Sequence, residues 1–560
     1  MSDHITLEHL ERLESAVFRK HSMSTLAAYI TEHTFMHGQP YSFVDHEFQA
    51  AIVGDTSQEV NVRKCAQVGV SETSARLALA MVDVLSPFTV AYTLPTAGFS
   101  GTFTRTRIDP IIDGSKRLKG AVHTSTNNSE VKRFGDSYLY MRGAASSNAP
   151  ISIPVDCLIH DEFDFCDMEV LKQYQSRLRH SKYKYVRRFS TPTLPDFGID
   201  KEFKVSRRYF NLCKCDKCNH WFQPDYYKHV KVPGYDGAME DIEARMMSHL
   251  RWREAYLACP NCGRKPDLGP AHREYVCENP DDSFIAAGYQ VSPFDAPKIM
   301  KPSDLVKESV AYERTQDFKN FGLGLPADDK EATLDRNDFA DLFIQEEAGS
   351  GAYVMGVDIG KQYHFVIGRV DGYGNLYVVH TELVPMGKAR DKYQDFRRKY
   401  RIICTVMDSA PHAETVMTLQ TTDPNMYASV YVEAKSFLTH TIVNKEDKKD
   451  EGTTFQRQVN VNRNRSLDGY MAAIRNGEVK FRMEDEDRRE EIIVQHCSMK
   501  RTKQYENQSE ELVYKWQKTD GNDHWHHASL YCWTAARIKG LGGHLIELPL
   551  ARAFSFRVKT

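Results

Sequence analysis

The sequence predicts an α/β protein that contains two different sheets, and two observations support this fold class. From Glu59 to about residue 200, strand-like and helix-like segments alternate, which is typical of a mostly parallel sheet covered on both faces. From about residue 352, three strand-like segments follow one another across short polar turns before helices return. That order indicates an antiparallel meander that continues into a strand–helix part.

Length and composition narrow the class of protein. At 560 residues the chain is long enough for two to four domains. Its 41% hydrophobic and 27% charged residues fit a globular protein, and no run of 18 apolar residues predicts a membrane span. The acidic N-terminal segment predicts no secretory signal. A net charge of −3 means that any DNA contact would depend on local patches.

The domain boundaries follow from changes in composition along the chain. Cysteines, histidines and short turns become frequent after about residue 210, and a short polar segment that ends in glycine precedes the meander. The expected order is an N-terminal helical segment (1–40), a first domain (41–209), a cysteine-rich insertion (210–280), the remainder of the first domain (281–344), a linker (345–351), a second domain (352–545) and a basic tail (546–560).

A phosphate-binding loop is the first candidate site. Lys64 follows a strand and Ser71 opens a helix, which is the context in which backbone N–H groups and a helix N-terminus face phosphates. The segment departs from the usual GxxxxGK[ST] pattern, because lysine stands first and Val70 occupies the usual lysine position. The alternative is an ordinary strand–helix turn that Ser71 caps. Gln67 and Gly69 complete the candidate nucleotide-binding loop.

A second acidic motif strengthens the ATPase hypothesis. An apolar strand ends in Asp161 and Glu162, where the first carboxylate can hold Mg²⁺ and the second can polarise the attacking water. The alternative is an acidic helix start that the helix dipole favours. Thr191, at the end of the next strand, is a candidate sensor of the γ-phosphate. These motifs predict a P-loop ATPase domain of the ASCE type.

The cysteine-rich insertion predicts a metal site. Two CxxC pairs can supply four thiolates at tetrahedral reach, so a structural zinc ion is expected. Cys213 and Cys277 lie nearby, and either could replace a ligand. The alternative is a set of reduced cysteines without a metal, in keeping with the reducing cytoplasm that the cysteine usage indicates. The four candidate ligands are Cys215, Cys218, Cys259 and Cys262.

Acidic residues at element ends predict a nuclease in the second domain. Asp358 ends the first strand of the meander, Asp408 ends a later strand, and Asp523 precedes the last helix. The order βββαβα(β) is that of a ribonuclease H-like domain. Such carboxylates would share Mg²⁺ or Mn²⁺ and cleave phosphodiesters. The alternative is that each aspartate is a strand-end turn residue.

Basic residues are the candidate DNA contacts. Six of them lie between Arg177 and Arg188 with no acid among them, just past the Asp–Glu motif, where a motor would touch phosphates. A solvated helix face is the alternative. Arg463 and Arg465 are further candidates near the nuclease site.

Together these motifs resemble the large terminase subunit of tailed double-stranded DNA phages, most closely the branch of phage lambda. The resemblance covers about residues 40 to 545 and rests on the lysine-first loop KCAQVGVS, the DEFD and STPT segments, the CxxC module, the stretch GYQVSPF and the nuclease acids. It implies that Lys64 takes over the usual Walker lysine role. It also implies that Ser71 and Asp161 hold Mg²⁺, that Glu162 is the catalytic carboxylate, and that Tyr41 stacks on adenine.

The third nuclease acid is the one imperfect match. Related enzymes often place an aspartate four residues before the tyrosine of the last helix, where this chain has His527. Asp523 lies one turn earlier. Either side chain could complete the metal site, and Asp523 is the one expected to do so.

The resemblance implies an ATP-driven motor that moves double-stranded DNA into the procapsid and a metal-dependent endonuclease that cuts concatemeric DNA. It implies ATP with Mg²⁺, Mg²⁺ or Mn²⁺ in the nuclease, and structural Zn²⁺. The expected partners are the small terminase subunit, the portal protein and further copies in a ring, with no membrane, in the host cytoplasm. The alternatives are a helicase- or translocase-nuclease of DNA repair and a non-catalytic zinc- and DNA-binding assembly protein.

Overall fold

The structure is a computed structural model, and its descriptions apply to part of the chain. Among the described residues, no helix is long and apolar enough to cross a membrane. The expected N-terminal helices lie mostly outside the described residues, and the basic tail 546–560 lies entirely outside them. The described residues are 25–145, 154–280, 285–312, 314–327, 333–345, 350–432, 440–444, 455, 457–483, 485–505, 512–519 and 521–541.

The chain divides into two compact units. The first comprises Met1–Asp329 and Lys503–Val513, and the second comprises Lys330–Thr502 and Tyr514–Thr560. The division therefore falls before residue 333 rather than in the expected linker 345–351. Residues 333–344 were expected to belong to the first domain. They pack in the second unit instead, because the side chains of Leu334, Phe339 and Leu342 join its core.

An 11-stranded sheet forms the centre of the first unit. Two further short pairs, Phe35–Met36 with Gln39–Pro40 and Val230–Lys231 with Tyr256–Leu257, lie apart from it. The strands of the sheet are β1 (Glu59–Lys64), β2 (Thr89–Leu94), β3 (Val122–Asn127), β4 (Val131–Phe134), β5 (Ser137–Gly143), β6 (Cys157–Asp161), β7 (Tyr185–Ser190), β8 (Arg207–Lys214), β9 (Trp221–Phe222), β10 (Arg273–Cys277) and β11 (Ala286–Val291).

Most of this sheet is parallel, as the alternation of strands and helices predicts. The strand order is β9-β8-β11-β1-β7-β6-β2-β5-β4-β3, and β10 pairs with β8. All neighbours from β8 to β5 in that order are parallel. The carboxyl ends of β1, β7 and β6 therefore meet at one edge, which is where ligands bind in open α/β sheets. This edge carries Lys64, Ser190 and Asp161.

Helices cover the sheet of the first unit. The central one is apolar around most of its circumference, and its residues Thr73 to Val82 are all buried, as expected of a helix enclosed by a core. Residues 25–33 are also helical. The helices are α1 (Glu47–Val53), the central α2 (Val70–Val84), α3 (Ala97–Phe103), α4 (Asp109–Gly114), α5 (Lys116–Ala121), α6 (Met168–Gln175), α7 (Gly198–Lys204), α8 (Tyr226–His229), α9 (Pro302–Ser309) and α10 (Thr315–Asp317).

A nine-stranded sheet forms the second unit. Its strand order is β12-β20-β15-β14-β13-β16-β17-β19-β18. The strands are β12 (Phe343–Ile344), β13 (Ala352–Ile359), β14 (Tyr363–Val370), β15 (Leu376–Val384), β16 (Cys404–Asp408), β17 (Met426–Val432), β18 (His440–Asn444), β19 (Arg457–Asn462) and β20 (Val479–Arg482), and the separate pair is β21 (Met499–Tyr505) and β22 (Leu512–Lys518).

The predicted meander is present in this sheet. Strands β13, β14 and β15 pair antiparallel in succession, and β16 adds to β13 in parallel. Asp358 and Asp408 therefore end adjacent parallel strands, as the sequence predicts. Helices cover both faces: α11 (Ala389–Tyr400) and α12 (Ala413–Thr422) pack on one core, and α13 (Arg463–Arg475), α14 (Glu486–Cys497) and α15 (His524–Ile538) pack on the other.

The last helix, α15, lies directly against β13. A side chain at Gly356 would place its Cβ 2.1 Å from the carbonyl oxygen of Ala528 and 2.2 Å from the amide nitrogen of Cys532. Glycine is therefore needed there for the close approach of helix and strand. The first turn of the helix is thereby held beside the end of β13, where Asp358 lies.

Candidate functional site

The phosphate-binding loop joins β1 to α2. Gly69 caps the helix with a φ of 76°, and Gln67 also has a positive φ of 57°. The loop is anchored from outside, since the amide of Cys65 donates to Val291 O at 3.0 Å and the amide of Ala66 donates to Phe321 O at 2.8 Å. The free N-terminus of a 15-residue helix follows directly, so its unpaired N–H groups and its dipole are available to an anion.

Lys64 points to the acidic motif. Its Nζ lies 3.1 Å from Oε1 of Glu162, and the lysine side chain is only 6% exposed. Burial alone would lower the pKa of Lys64, but the charges of Glu162 and Asp161 outweigh it and raise the pKa. Lys64 is thus buried and paired at the front of the loop, and the phosphate-binding role that the resemblance implies stays a prediction.

Ser71 and Asp161 also meet. The Ser71 hydroxyl donates to Oδ1 of Asp161 at 3.2 Å, and the hydroxyl of Tyr92 donates to Oδ2 at 2.8 Å. Burial, followed by the neighbouring charge of Glu162, raises the pKa of Asp161 to about 6. A hydroxyl and a carboxylate in contact beside the loop form the oxygen ligand set that Mg²⁺ prefers.

Glu162 has an unusual backbone. Its φ of 53° lies in the left-handed region, and its side chain is about one third exposed. Its carboxylate contacts Lys64. Backbone strain of this kind costs about 1–3 kcal/mol and is often found at functional positions.

Asp164 joins the acidic motif to the STPT segment, a role that the sequence analysis did not anticipate. Its Oδ2 accepts from the amide of Thr193 at 2.8 Å and from the Thr193 hydroxyl at 2.9 Å, and its Oδ1 accepts from the amide of Ile199 at 2.6 Å. Burial raises the pKa of Asp164 to about 7. A Cβ on Gly198 would lie 2.2 Å from Oδ1 of Asp164, so only glycine fits there.

The candidate sensor Thr191 lies beside this clamp. It is buried directly after β7, and its carbonyl oxygen accepts a hydrogen bond from the Ser190 hydroxyl at 2.9 Å. The same hydroxyl oxygen accepts from the amide of Asp164 at 3.0 Å. Contacts of this kind link the ends of β6 and β7, although the sensing role of Thr191 itself stays a prediction.

Tyr41 lies against the start of α2. Its hydroxyl is 2.7 Å from Oγ1 of Thr73 and 3.2 Å from Oε1 of Gln49, and the Arg76 guanidinium lies 4.3 Å above its ring. Gln49 also donates to Val68 O in the loop at 2.6 Å. Tyr41 is thus connected to the phosphate-binding loop, and its stacking on adenine stays a prediction.

The two CxxC pairs converge. Sγ of Cys215 lies 3.7 Å from that of Cys262, Sγ of Cys218 lies 3.6 Å from that of Cys259, and all four sulfurs lie within 4.8 Å of one another. Four thiolates around a tetrahedral zinc ion at about 2.3 Å would stand about 3.8 Å apart, so the spacing fits that ion. All four cysteines are free rather than joined in disulfides.

The two knuckles have the same backbone. In each, the amide four residues after the first cysteine donates to the carbonyl of that cysteine at 2.8 Å. In each, the residue after the second cysteine has a positive φ, 58° at Asn219 and 70° at Gly263. Two equivalent turns that present their sulfurs to one point are a common arrangement for a structural metal site.

The nuclease candidates Asp358 and Asp408 interact electrostatically. Burial, followed by the charge of Asp358, raises the pKa of Asp408 to about 7. Asp358 is itself only 5% exposed. Asp358 is buried and Asp408 is half-buried, and two carboxylates that repel each other fit a divalent cation, because the ion relieves the repulsion and is bound by oxygens of both.

The third candidates, Asp523 and His527, contact each other. His527 Nε2 lies 3.3 Å from Oδ2 of Asp523, and Lys518 Nζ lies 3.5 Å from Oδ1. Burial would raise the pKa of Asp523, but the hydrogen bond and charge of His527 hold it well below its usual range. The other ring nitrogen of His527 lies 2.7 Å from the hydroxyl of Tyr431. His527 also lowers the pKa of Asp408, which puts it near that carboxylate.

His524, at the start of the last helix, is in direct contact with Asp358. His524 Nδ1 lies 2.7 Å from Oδ2 of Asp358, and this hydrogen bond raises the pKa of His524. His364 stands opposite Asp358 on β14, and its ring stacks on that of His524 at 4.6 Å. Within the described residues, Asp358, His364 and His524 form a group whose ligand atoms all lie within 4.8 Å of one another.

Six basic residues from Arg177 to Arg188 were expected to contact DNA, and this expectation is wrong for two of them. Arg187 and Arg188 are 1% and 2% exposed within β7, where alternate faces of a covered sheet are both buried. Arg187 donates to the carbonyl of Gln58, and Arg188 pairs with Glu59 at 2.6 Å. Arg179, Lys182 and Lys184 are exposed and stay candidates. Arg463 and Arg465 are also exposed, and Arg463 lies 5.7 Å from the ring centre of Tyr431, beside the nuclease candidates.

Residues 38–274 match the family described as phage terminase large subunit gpA, ATPase domain. This part of the chain is a terminase large-subunit ATPase domain. The resemblance to large terminase subunits is thereby confirmed for this part of the chain. The family match does not distinguish the branch of phage lambda, which stays a prediction.

Three solved structures illustrate what the fold is similar to. The large terminase of bacteriophage HK97 shares 12% identity over 91% of this chain and 99% of its own, with a TM-score of 0.45. The ATPase domain of the Thermus phage P74-26 large terminase shares 12% identity over 51% and 93%, with a TM-score of 0.31. The large terminase nuclease of a thermophilic phage shares 14% over 35% and 97%, with a TM-score of 0.23. No curated protein matches the sequence.

Two side chains of these sites carried little signal in the sequence. His364 is one polar residue within the apolar segment YHFVIGRV. Asp164 is the last residue of the DEFD motif, in which Asp161 and Glu162 already account for the expected chemistry. A polar side chain at a buried strand position is the signal that could have identified His364. Its partners on α15 come from a distant part of the chain.

Proposed function

We propose that the first unit hydrolyses ATP with Lys64, Ser71, Asp161 and Glu162 and uses that energy to move double-stranded DNA into a procapsid. The observation that supports this proposal is the convergence of Lys64 and the Asp161–Glu162 pair at one sheet edge, with the Ser190–Thr191 strand end between them. Gln67 and Gly69 supply the positive-φ turn that lets loop amides face phosphates.

Each residue has a distinct task in this mechanism. Lys64 and the N-terminus of α2 would bind and orient the β- and γ-phosphates and neutralise their charge. Glu162 would accept a hydrogen bond from the attacking water and hold it in line with the γ-phosphate. Ser71 and Asp161 would hold Mg²⁺, which supplies charge stabilisation to the phosphoryl oxygens when it is bound.

ATP binding would change the Lys64–Glu162 pair. The phosphates offer Lys64 a stronger set of oxygens than one carboxylate, so Glu162 would be released to bind water. The Asp164 clamp on Thr193 and Ile199 would hold Thr191 in position during that exchange. Thr191 would then report the presence of the γ-phosphate.

The second unit is proposed as the metal-dependent endonuclease that cuts concatemeric DNA. Asp358 and Asp408 end adjacent strands, and α15 brings histidines and Asp523 toward them. Asp358 and Asp408, with a residue from α15, would hold Mg²⁺ or Mn²⁺, which stabilises the attacking and leaving oxygens of a phosphodiester. Asp523 and His527 remain the two candidates for the third position. Exposed Arg463 would contact the DNA backbone nearby.

The cysteine module is proposed as a structural zinc site. Four thiolates leave no open coordination position, so the ion would stabilise the insertion rather than take part in catalysis. The proposed partners of the whole chain are the small terminase subunit, the portal protein and further copies of the chain in a ring. The proposed place of action is the cytoplasm of an infected bacterial cell.

The test measures ATP hydrolysis and plasmid cleavage on the full chain and its variants. Lys64→Ala should abolish DNA-stimulated ATP hydrolysis, and Asp358→Asn and Asp408→Asn should abolish cleavage with Mg²⁺ or Mn²⁺ while leaving ATP hydrolysis intact. Asp395→Asn, an exposed aspartate on α11, is the matched control and should behave as wild type. Equal cleavage by all of these variants would overturn the nuclease assignment.

The same assay separates the packaging motor from a repair helicase. A packaging motor should be stimulated by double-stranded DNA and should not separate strands. Stimulation by single strands together with unwinding of a labelled duplex would favour the helicase-nuclease. A wild-type chain that neither hydrolyses ATP nor cuts DNA would favour a non-catalytic assembly protein.

A further inference from the structure

We propose that Asp358, His364 and His524 form a nitrogen-containing metal site that takes a first-row transition ion such as Mn²⁺ in preference to Mg²⁺. Metal binding at this site does not depend on the proposed nuclease function; only the role of the ion in DNA cleavage rests on it. It assigns two imidazole ligands, from His364 and His524, to a centre whose other candidates are Asp408, Asp523 and His527.

The three side chains come from three elements that converge. Asp358 on β13 and His364 on β14 are directly opposed residues of an antiparallel pair. His524 begins α15 and reaches Oδ2 of Asp358 through its Nδ1 at 2.7 Å. One ligand atom from each of the three lies within 4.8 Å of the others, a spacing that one ion can bridge.

His364 supplies a second and independent observation. Its side chain is 6% exposed, and its Nδ1 has no hydrogen-bond partner of normal geometry within the described residues. Leaving a buried polar atom unpaired costs about 1–3 kcal/mol, and a metal ion bound at this ring would remove that cost. The ring is fixed in place between His524 at 4.6 Å and the edge of Trp525 at 4.7 Å.

The donor set decides which ion fits. Mg²⁺ binds oxygen ligands and keeps much of its water, whereas imidazole nitrogens suit ions of the first transition row, of which Mn²⁺ binds most weakly and shares the most oxygen-ligand character with Mg²⁺. The His524 side chain is 27% exposed, so the group opens to solvent on that side and leaves coordination positions for water or substrate. Asp408 would stay on the other side of Asp358, away from His364.

The competing explanation is that His364 only packs and that Asp358 and His524 only form an ion pair. The sheet holds a matched example of such a pair, because His380 Nε2 lies 3.1 Å from Oε2 of Glu382 on β15. His380→Gln is therefore the control for removal of a histidine that faces a carboxylate without a second imidazole beside it.

The experiment is Mn²⁺ binding to the full chain without nucleotide, followed by continuous-wave and pulsed electron paramagnetic resonance. Wild type should show modulation from ¹⁴N nuclei coupled to bound Mn²⁺, which only a directly ligating nitrogen produces at full depth. His524→Gln should reduce the modulation and weaken Mn²⁺ binding by about tenfold or more. His364→Gln should do the same, and His380→Gln should change neither.

Two outcomes would overturn the inference: no ¹⁴N modulation in wild type, or modulation that is unchanged in both His364→Gln and His524→Gln. His524 is partly exposed, so its variant tests the site even if His364→Gln fails to fold, as circular dichroism would reveal. Nitrogen-coupled Mn²⁺ in a protein that cuts no DNA would keep this site and overturn the nuclease. Mg²⁺-dependent cutting without nitrogen coupling would keep the nuclease and overturn this site.

Discussion

The ammonium group of Lys64 lies 3.1 Å from the carboxylate of Glu162, so the residue expected to bind phosphate and the residue expected to bind water are paired with each other. Lys64 is buried, where an unpaired charge would be costly, and the partly exposed Glu162 neutralises it. In the proposed mechanism nucleotide binding would separate the two, because Lys64 cannot serve the carboxylate and the phosphates equally. The pair would then be the resting arrangement of the proposed ATPase site.

Glu162→Gln should therefore retain ATP binding and lose hydrolysis. The amide still accepts a hydrogen bond but cannot act as a base, and loss of a general base costs about 10²–10⁴-fold in rate. Nucleotide affinity measured by fluorescence should stay within a few fold of wild type, and kcat should fall. Glu169→Gln, which removes an exposed glutamate 2.8 Å from Lys172, is the control and should change neither. A variant that keeps its kcat would remove Glu162 from the catalytic role.

Gly198→Ala should destabilise the first unit far more than Gly135→Ala. Both glycines have positive φ, 52° and 57°, so both pay the strain of a left-handed side chain, about 1–2 kcal/mol. Only at Gly198 would the new Cβ meet Asp164, at 2.2 Å, whereas at Gly135 nothing lies within 4 Å. Urea unfolding should show an extra loss of about 2 kcal/mol or more for Gly198→Ala. Equal losses would contradict the contact.

Asp164 should make stability depend on pH. Because burial raises its pKa to about 7 in the folded state, the folded protein binds this proton more tightly than the unfolded chain does. Its contribution to the free energy of unfolding is complete below about pH 4 and is lost as the pH rises through about 7. Asp164→Asn should flatten that decline.

The Asp164→Asn variant should also be less stable at every pH, by about 2 kcal/mol, because its amide group cannot accept from all three donors. Urea unfolding at several values between pH 4 and pH 8 measures both effects. Asp136→Asn, at a position whose side chain is 85% exposed, should follow the wild-type curve. Parallel curves for wild type and Asp164→Asn would show that another group carries the pH dependence.

Cys218→Ser should release the metal of the insertion. Metal analysis of purified wild type is expected to give one zinc per chain, and the variant should give much less, because one thiolate of four is lost. Cys277→Ser removes a cysteine on β10 outside the tetrad and should keep the zinc. Equal zinc in both variants would exclude the proposed ligand set.

Much of the fold could be predicted from local pattern. Alternating strand and helix segments gave the parallel order around β1, β7 and β6, and three strands joined by short turns gave the meander that ends on Asp358. These features depend on periodicity and turn residues, which act over a few positions. The boundary before residue 333 could not be predicted this way, because Leu334 and Phe339 are apolar in either unit and only packing decides which core they join.

The sequence by itself determined which residue types stand at the strand ends and in the two CxxC turns: the lysine-first loop, the Asp161–Glu162 pair, Asp358 and Asp408, and the four cysteines. Strand ends are local features, and residues there need no knowledge of the rest of the chain. Only the tertiary structure decided what faces them. Asp164 holds Thr193 and Ile199, His364 and His524 surround Asp358, and Arg187 and Arg188 are buried in β7. Each of these depends on contacts between elements far apart in sequence, and burial acts on side chains only after the chain has brought those elements together.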